Sequence, residues 1–381
     1  MKSFLIILSA FFPLSSLFAQ DSTVRANAWS FSGYLKDLEW VRFEKGFTGA
    51  AATNLLHNRV NIKWNSAGNW TGRLEVRSRM YWGDDVRVLR GFKQQLQNES
   101  EAVNLSINWF ETRSAILHTN IERFWLEYKK PKWSIRAGRQ RINWGIANTW
   151  NPNDLFNTYN LLDFDYEERP GSDAVKGQYL VNDLSNIEVS VAGANHQSIA
   201  AAKYFTNYKK YDLQWNAGMY RGEFTAGFGW AGNIKEAGFK GEVQYYAARQ
   251  KNFSRLLLAV EGDYIFKRGW YLSLAFLYNE KGLDRPLDGW TLPSFQASPR
   301  NPMPTKWNIL VNTSKEFTPI FSGSLNVIYA PGMNLLIFFP TFRYNLKTNL
   351  DLDIVWQSFF AESTRFEALS HTGFARFKWS F

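Results

Sequence analysis

Apolar and polar residues alternate in stretch after stretch of this chain. In the clearest stretch Trp70, Gly72, Leu74, Val76, Ser78, Met80 and Trp82 share one face, and Thr71, Arg73, Glu75, Arg77, Arg79 and Tyr81 share the other. A period of two predicts a β-strand with two unlike faces. The stretch before it sets Leu56, Val60, Ile62 and Trp64 against Arg59, Asn61 and Lys63. Further on, Leu213, Trp215 and Ala217 oppose Asp212, Gln214 and Asn216, and Phe239, Val243 and Tyr245 oppose Lys240, Glu242 and Gln244. Leu350, Leu352, Ile354 and Trp356 oppose Asp351, Asp353 and Gln357. Trp at both ends of an apolar face matches the two interfaces of a bilayer. The alternation therefore reads as lipid against lumen. On the lipid face near the midplane a Lys or Arg costs about 2–4 kcal/mol, which explains why ionisable groups collect on one side.

The segments number roughly 18, each of about ten residues, the length of a tilted membrane strand. Short breaks at 65–69, 129–132, 182–186, 267–269 and 347–349 read as periplasmic turns. Long breaks at 83–119, 145–173 and 280–305 read as extracellular loops. Within the first, 86–101 has the pattern of a short amphipathic helix. The fold class is all-β: a closed antiparallel transmembrane β-barrel of about 16–18 strands, wide enough for an aqueous channel. No later stretch reaches the run of about 18 apolar residues that a membrane-spanning helix needs.

Both ends of the chain agree. Read back from the terminus, Phe381, Trp379, Phe377, Ala375 and Gly373 alternate with polar positions that include Lys378 and Arg376. This ending resembles the sorting signal of Gram-negative outer-membrane β-barrels. The resemblance implies a place in the outer membrane, and Phe377, Trp379 and Phe381 as the aromatic positions that barrel-assembly machinery reads. At the other end a basic start at Lys2 and an apolar run from Phe4 to Phe12 lead to a cut between Ala19 and Gln20. Residues 1–19 thus read as a Sec-type signal peptide, with Leu17 in place of the more usual Ala at the third position before the cut. Residues 20–381 form one barrel domain. No plug domain is expected, because strand-like sequence begins near Trp29.

Composition sharpens this picture. Aromatic residues make up 17% of the chain, while the mean hydropathy is only −0.34. A barrel with aromatic girdles, a lipid face and a polar lumen needs that mixture. Cysteine is absent, which excludes disulfides, zinc-thiolate sites and a Cys nucleophile. The net charge of +10 points to an anion-attracting lumen or to lipopolysaccharide phosphates. An exported chain meets no nucleic acid as a routine partner.

The most specific internal stretch is Gly138-Arg139-Gln140-Arg141-Ile142-Asn143-Trp144-Gly145, followed by Asn151-Pro152-Asn153 and by Asp165-Tyr166-Glu167-Glu168-Arg169-Pro170. A strand ending in Trp-Gly, an Asn-Pro turn, an acidic Arg-Pro cluster and a strand resuming near Lys176 resemble a pattern of porin-like outer-membrane proteins. The resemblance implies that 145–173 folds inward and narrows the pore. Asp154, Asp163, Asp165, Glu167, Glu168 and Arg169 would then face Arg-bearing walls, and opposed charges across a narrow gap filter solutes. The other reading is a solvated extracellular loop. Asp163, Asp165 and Glu167 offer oxygen ligands for Ca²⁺, but no full Ca²⁺-loop spacing is present, so no metal or other cofactor is expected.

Arg59, Lys63, Arg73, Arg77, Arg79 and Arg123 form a basic lumenal wall, joined at the barrel seam by Arg376 and Lys378. It reads either as a ladder for anions or as a set of partners for Glu75, Glu127, Asp351 and Asp353. Catalysis has little to work with. His57, His118, His196 and His371 are the only histidines. Ser370 beside His371 points to the opposite face, and only Asp84 and Asp85 offer acids for His118. The expectation is a non-enzyme: an outer-membrane channel for passive diffusion of small polar solutes, with a preference for anions. The alternatives are a non-conducting barrel in adhesion or in polysaccharide assembly and export, and an outer-membrane hydrolase. Lipid and lipopolysaccharide are the expected surroundings. The sequence carries no interface signal to separate monomer from oligomer.

Overall fold

A computed structural model of the chain describes residues 28–381, apart from 48, 89–91, 93–95, 97–101, 158–160, 162–164, 166–169, 195–196, 250–252, 287–294, 296 and 363–364. The signal-peptide reading of 1–19 lies outside the described residues. Strand β1 (Trp29–Glu44) pairs on one side with β2 (Ala51–Asn65) and on the other with the last strand, β19 (Phe366–Ser380), so the sheet closes. Between them run β3 (Trp70–Gly83), β4 (Ser106–Glu111), β5 (Ala115–Lys129), β6 (Trp133–Gln140), β7 (Ser172–Asn182), β8 (Ser185–Ala194) and β9 (Gln197–Tyr208). Then follow β10 (Tyr211–Tyr220), β11 (Glu223–Ile234), β12 (Ala237–Tyr246), β13 (Arg255–Ile265), β14 (Trp270–Asn279), β15 (Trp307–Thr318), β16 (Phe321–Ala330), β17 (Leu335–Lys347) and β18 (Leu350–Glu362).

Neighbours pair antiparallel throughout, with one bypass: β3 pairs directly with β5. Eighteen strands make the closed ring, the upper end of the expected range. The nineteenth, β4, is an added edge. Strand β6 pairs with β5 only over Phe124–Lys129, and β4 covers β5 above that, from Asn120 to Ile116. An uncovered strand edge in lipid would leave backbone groups without partners. The added strand supplies them just where the chain leaves β6. The sequence reading ran the first long loop to 119, whereas β5 begins at Ala115 and carries His118 within the wall.

The connections at one end, called lower here, are all short, and the long loops lie at the other. The outer face carries the apolar set of most strands. Its lower rim holds rings in contact, such as Trp29 with Trp64 at 6.3 Å and Tyr128 with Trp70 and Trp133 at 4.8 and 5.6 Å. The inner face is layered. Its upper part is apolar: Leu38, Leu55, Tyr81 and Ile116 on one side, Ala192, Ile199, Ala201 and Leu257 on a second, and Leu277, Leu310, Ile328, Leu335 and Ile337 on a third. Inward-reaching loops cover these patches with Val86, Trp144, Trp150, Leu155 and Met303. Charged and amide side chains line the inner face below.

Candidate functional site in the lumen

The segment between β6 and β7 is the candidate site, because it traverses the lumen. It leaves the wall after Gln140, and Trp144 lies buried with its ring 5.0 Å from Phe156 and its indole N–H donated to Glu188 on β8. Gln214 on β10 donates to the Trp144 carbonyl at 2.6 Å. Gly145 follows because the Asn151 side chain packs against it: a Cβ there would meet Asn151 atoms at 2.7–2.8 Å. The Trp-Gly and Asn-Pro features of the sequence therefore form one knot.

Two wall acids hold that knot by its backbone. Glu242 on β12 accepts from the N–H groups of Ile146 at 2.5 Å, Ala147 at 2.8 Å and Asn153 at 2.8 Å, and from the Asn151 amide at 3.2 Å. Glu261 on β13 accepts from the N–H groups of Asn148 and Thr149 at 3.2 and 3.0 Å. Each backbone N–H needs a partner once buried, and a carboxylate serves several at once. Beyond these acids Trp150 and Leu161 pack on the apolar patch formed by strands β13 to β18.

The segment then reaches the opposite wall. Asp165 accepts from Lys36 of β1 at 2.7 Å and Arg376 of β19 at 3.2 Å, and its other oxygen lies 3.5 Å from Nδ1 of His57 on β2. Burial opposes ionisation of Asp165, but His57 and the charge of Lys36 outweigh it and hold the carboxyl well below the usual carboxylate range. Asn157 closes the excursion, donating to the Pro170 carbonyl at 2.6 Å before β7 begins.

Asp165 therefore meets the basic wall as the sequence suggested. Asp154 accepts the Trp144 N–H at 3.2 Å within the knot, where the Asn-Pro turn folds it back on its own segment. Asp163, Glu167, Glu168 and Arg169 lie outside the described residues.

The basic wall is largely paired. Arg59 and Arg73 share Glu75, and Arg77 meets Glu122. Arg123 donates to the Glu122 carbonyl at 2.7 Å, and a bulge at that point turns both residues inward. Arg376 is held by Asp353 at 2.7 Å as well as by Asp165. Lys378 sits over the Tyr34 ring at 5.0 Å. Arg79 bonds the Tyr81 hydroxyl at 3.3 Å, and among the described residues neither it nor Lys63 has a carboxylate partner. Arg139 is on the outer face, yet it is buried under the segment before β4, paired with Asp173 at 2.8 Å.

The hydrolase alternative finds a different pair from the one considered. His371 Nδ1 lies 2.8 Å from Ser358 on β18, on the outer face, with its ring stacked 4.5 Å from Phe47. The Trp356 indole also donates to Ser358, at 2.9 Å. No carboxylate orients His371 among the described residues. His118 bonds Asn108 of β4 at 2.8 Å.

Sequence reasoning missed Lys36, His57, Trp150, Glu188, Glu242 and Glu261. Glu242 and Glu261 are legible as inward acids, but Lys240 stands beside both on the same inner face, so the sequence offers a partner within the wall and hides the backbone groups that hold them.

No protein-family description matches the chain, and no curated protein resembles it in sequence. Solved structures do share its fold. The Acinetobacter baumannii protein OccAB4 superposes with a TM-score of 0.59 at 8% identity, covering 93% of this chain and 98% of the other. OccAB3 from the same organism gives 0.58 at 11% identity, with 93% and 99% covered. The outer membrane protein OprD from Pseudomonas aeruginosa gives 0.58 at 9% identity, with 93% of each chain covered.

Proposed function

We propose that this chain is an outer-membrane channel of a Gram-negative cell in which residues 141–171 act as the filter. The observation that carries the reading is the path of that segment, from Glu242 and Glu261 on one wall to Lys36 and Arg376 on the other. The two walls that the segment bridges carry charges of opposite sign, and a transverse field of that kind orders water and favours small polar molecules. Passage is by diffusion; a preference for anions rests on Lys63, Arg79 and the partly exposed Arg73. Structural likeness to OprD and to the Occ proteins supports the channel reading. The aromatic C-terminal strand supports hand-over by barrel-assembly machinery, with lipid and lipopolysaccharide as surroundings.

A second reading has its own observation. Arg59, Glu122, Glu242 and Gln244 are buried rather than lining open water. A barrel this filled suits one that does not conduct, with the upper loops binding a surface or a polysaccharide. Conductance of the refolded protein in planar bilayers, with reversal potential under a salt gradient, separates the two. Discrete steps support the channel. Silence from protein that circular dichroism shows to be folded refutes it in favour of the plugged barrel.

A further inference from the structure

On the outer face of β1 lipid is the wrong neighbour. In β1 the outward set is Trp29, Phe31, Gly33, Leu35, Asp37, Glu39, Val41 and Phe43. Two carboxylates therefore stand among the lipid-facing residues. Asp37 is midway between the Phe31 and Phe43 rings, six residues from each. At about 3.3 Å per residue on a strand tilted by about 40°, that is the middle of the apolar band.

A slipped register would explain the carboxylates away, but the register is continuous. Asp37 pairs with Leu56 and Phe377, and Glu39 with Asn54 and Ala375, with no bulge from Tyr34 to Arg42 on either side. The inside agrees, since Leu38 is buried in an apolar cluster with Trp40 packed against it. Here the wall is turned inside out: apolar within and acidic without. Neither carboxylate has a hydrogen-bond or ion-pair partner among the described residues, and Glu39 is exposed. Around them, still on the outer face, stand Asn54, Asn58 and Ser78, beside the small residues Ala52, Gly373 and Ala375. On the outer faces of β8 to β18 the register places one carboxylate among the described residues, Glu362 at the upper end of β18, and Asn334 donates to it at 3.0 Å.

We infer that this patch is a self-association surface, and that its occupant is a second copy of the chain. The patch is self-complementary. It holds acceptors on β1, Asp37 and Glu39, and amide donors on β2, Asn54 and Asn58. A twofold axis along the membrane normal, passing between β1 and β2, sets each acceptor strand against the donor strand of the other copy. Asp37 and Glu39 then meet the partner's Asn54 and the partner's Asn58. The small residues let the two walls approach. Such a contact is isologous and closes at two copies. It also removes from lipid the carboxylates that lipid solvates worst.

The absence of cysteine gives a direct test. A Leu56→Cys variant of the full chain, produced in outer membranes and treated with an oxidant, should form a disulfide-linked dimer of twice the chain mass. Leu325→Cys, outward on β16, is the control and should remain monomeric. Adding Asp37→Leu and Glu39→Leu to Leu56→Cys should abolish the dimer, while heat-modifiable migration shows the barrel still folded and conductance steps are unchanged. No more cross-linking at Leu56 than at Leu325 overturns the inference. So does a dimer that survives loss of both carboxylates, or an adduct of any mass other than two chains.

Discussion

The two sides of the lumen's charged layer hold their charges by different means. Near β1, β2, β3, β5 and β19, side chain meets side chain: Arg59 with Glu75, Arg77 with Glu122, Arg376 with Asp353. On β12 and β13, Glu242 and Glu261 meet backbone N–H groups of the crossing segment. A guanidinium that loses its acid can swing toward another acid or toward water. A backbone N–H cannot swing, because the chain that bears it is fixed on both sides. The acidic side therefore fixes the crossing segment in place, and in the proposed channel the basic side would set most of the field that a solute feels.

Removing Glu242 tests that contrast hardest. Glu242→Ala strands three buried N–H groups, and each costs about 1–3 kcal/mol when left without an acceptor. It should lower the unfolding midpoint in detergent more than any substitution on the basic side, and conductance should rise as the segment leaves the lumen. Unchanged conductance with a lowered midpoint would show that Glu242 holds the wall and not the filter. Trp150→Ala comes next. It empties a site against Leu277, Leu310, Ile328 and Ile337, and a Trp-to-Ala cavity costs about 3–5 kcal/mol. Because Glu242 still grips the knot, its conductance should rise less than that of Glu242→Ala. Single-channel records of the two variants under one salt condition check the order.

Much of this architecture was legible in the alternation. Strands such as Trp70–Gly83 and Leu350–Glu362 follow the two-residue period, and the short breaks fall at one end as expected. Three features were hidden for physical reasons. The turn between β9 and β10 is hidden because Lys209 and Lys210 make a two-residue turn with both φ positive, at 48° and 69°; such turns usually announce themselves by Asn or Gly. The apolar upper lumen was hidden by the assumption that inward means polar. The run Leu335-Leu336-Ile337-Phe338-Phe339 is apolar on both faces because loops cover its inner side. The latch acids were hidden because their partners are backbone groups, which leave no trace in side-chain sequence. Within the filter, Asp165 was legible as an acid that meets the basic wall, while Asp154 turned out to serve its own segment.

On the basic side the largest expected effect belongs to Asp165→Asn. It removes the negative charge shared by Lys36 and Arg376, and a hydrogen bond to a charged group is worth about 1.5–3 kcal/mol. The pH dependence has a definite sign. A carboxyl whose folded-state pKa is depressed contributes stability that is complete above its unfolded value, about 3.9. That contribution is lost as pH falls toward the folded value. The stability gap between wild type and Asp165→Asn should therefore be flat from pH 7 to about pH 5 and narrow below about pH 4. Denaturant midpoints across that range check it. A gap that closes between pH 7 and 6 would assign the effect to a histidine instead.

The smallest effect expected on stability is also the one that isolates the field. Arg79 bonds only a Tyr81 hydroxyl among the described residues, so replacing it strands no acid. Arg79→Gln together with Lys63→Gln should change stability by no more than about 0.5 kcal/mol per site, as for substitutions away from buried networks. Removing two unpaired positive charges should nonetheless shift the reversal potential in a salt gradient toward cations. Arg59, by contrast, is buried against Glu75, which Arg73 shares, so Arg59→Gln would mix a change of field with the loss of a buried ion pair and is the poorer probe. If the Arg79 and Lys63 pair leaves the reversal potential where it was, the basic side is a structural lattice like the acidic one, and only the partly exposed Arg73 is left to support anion preference.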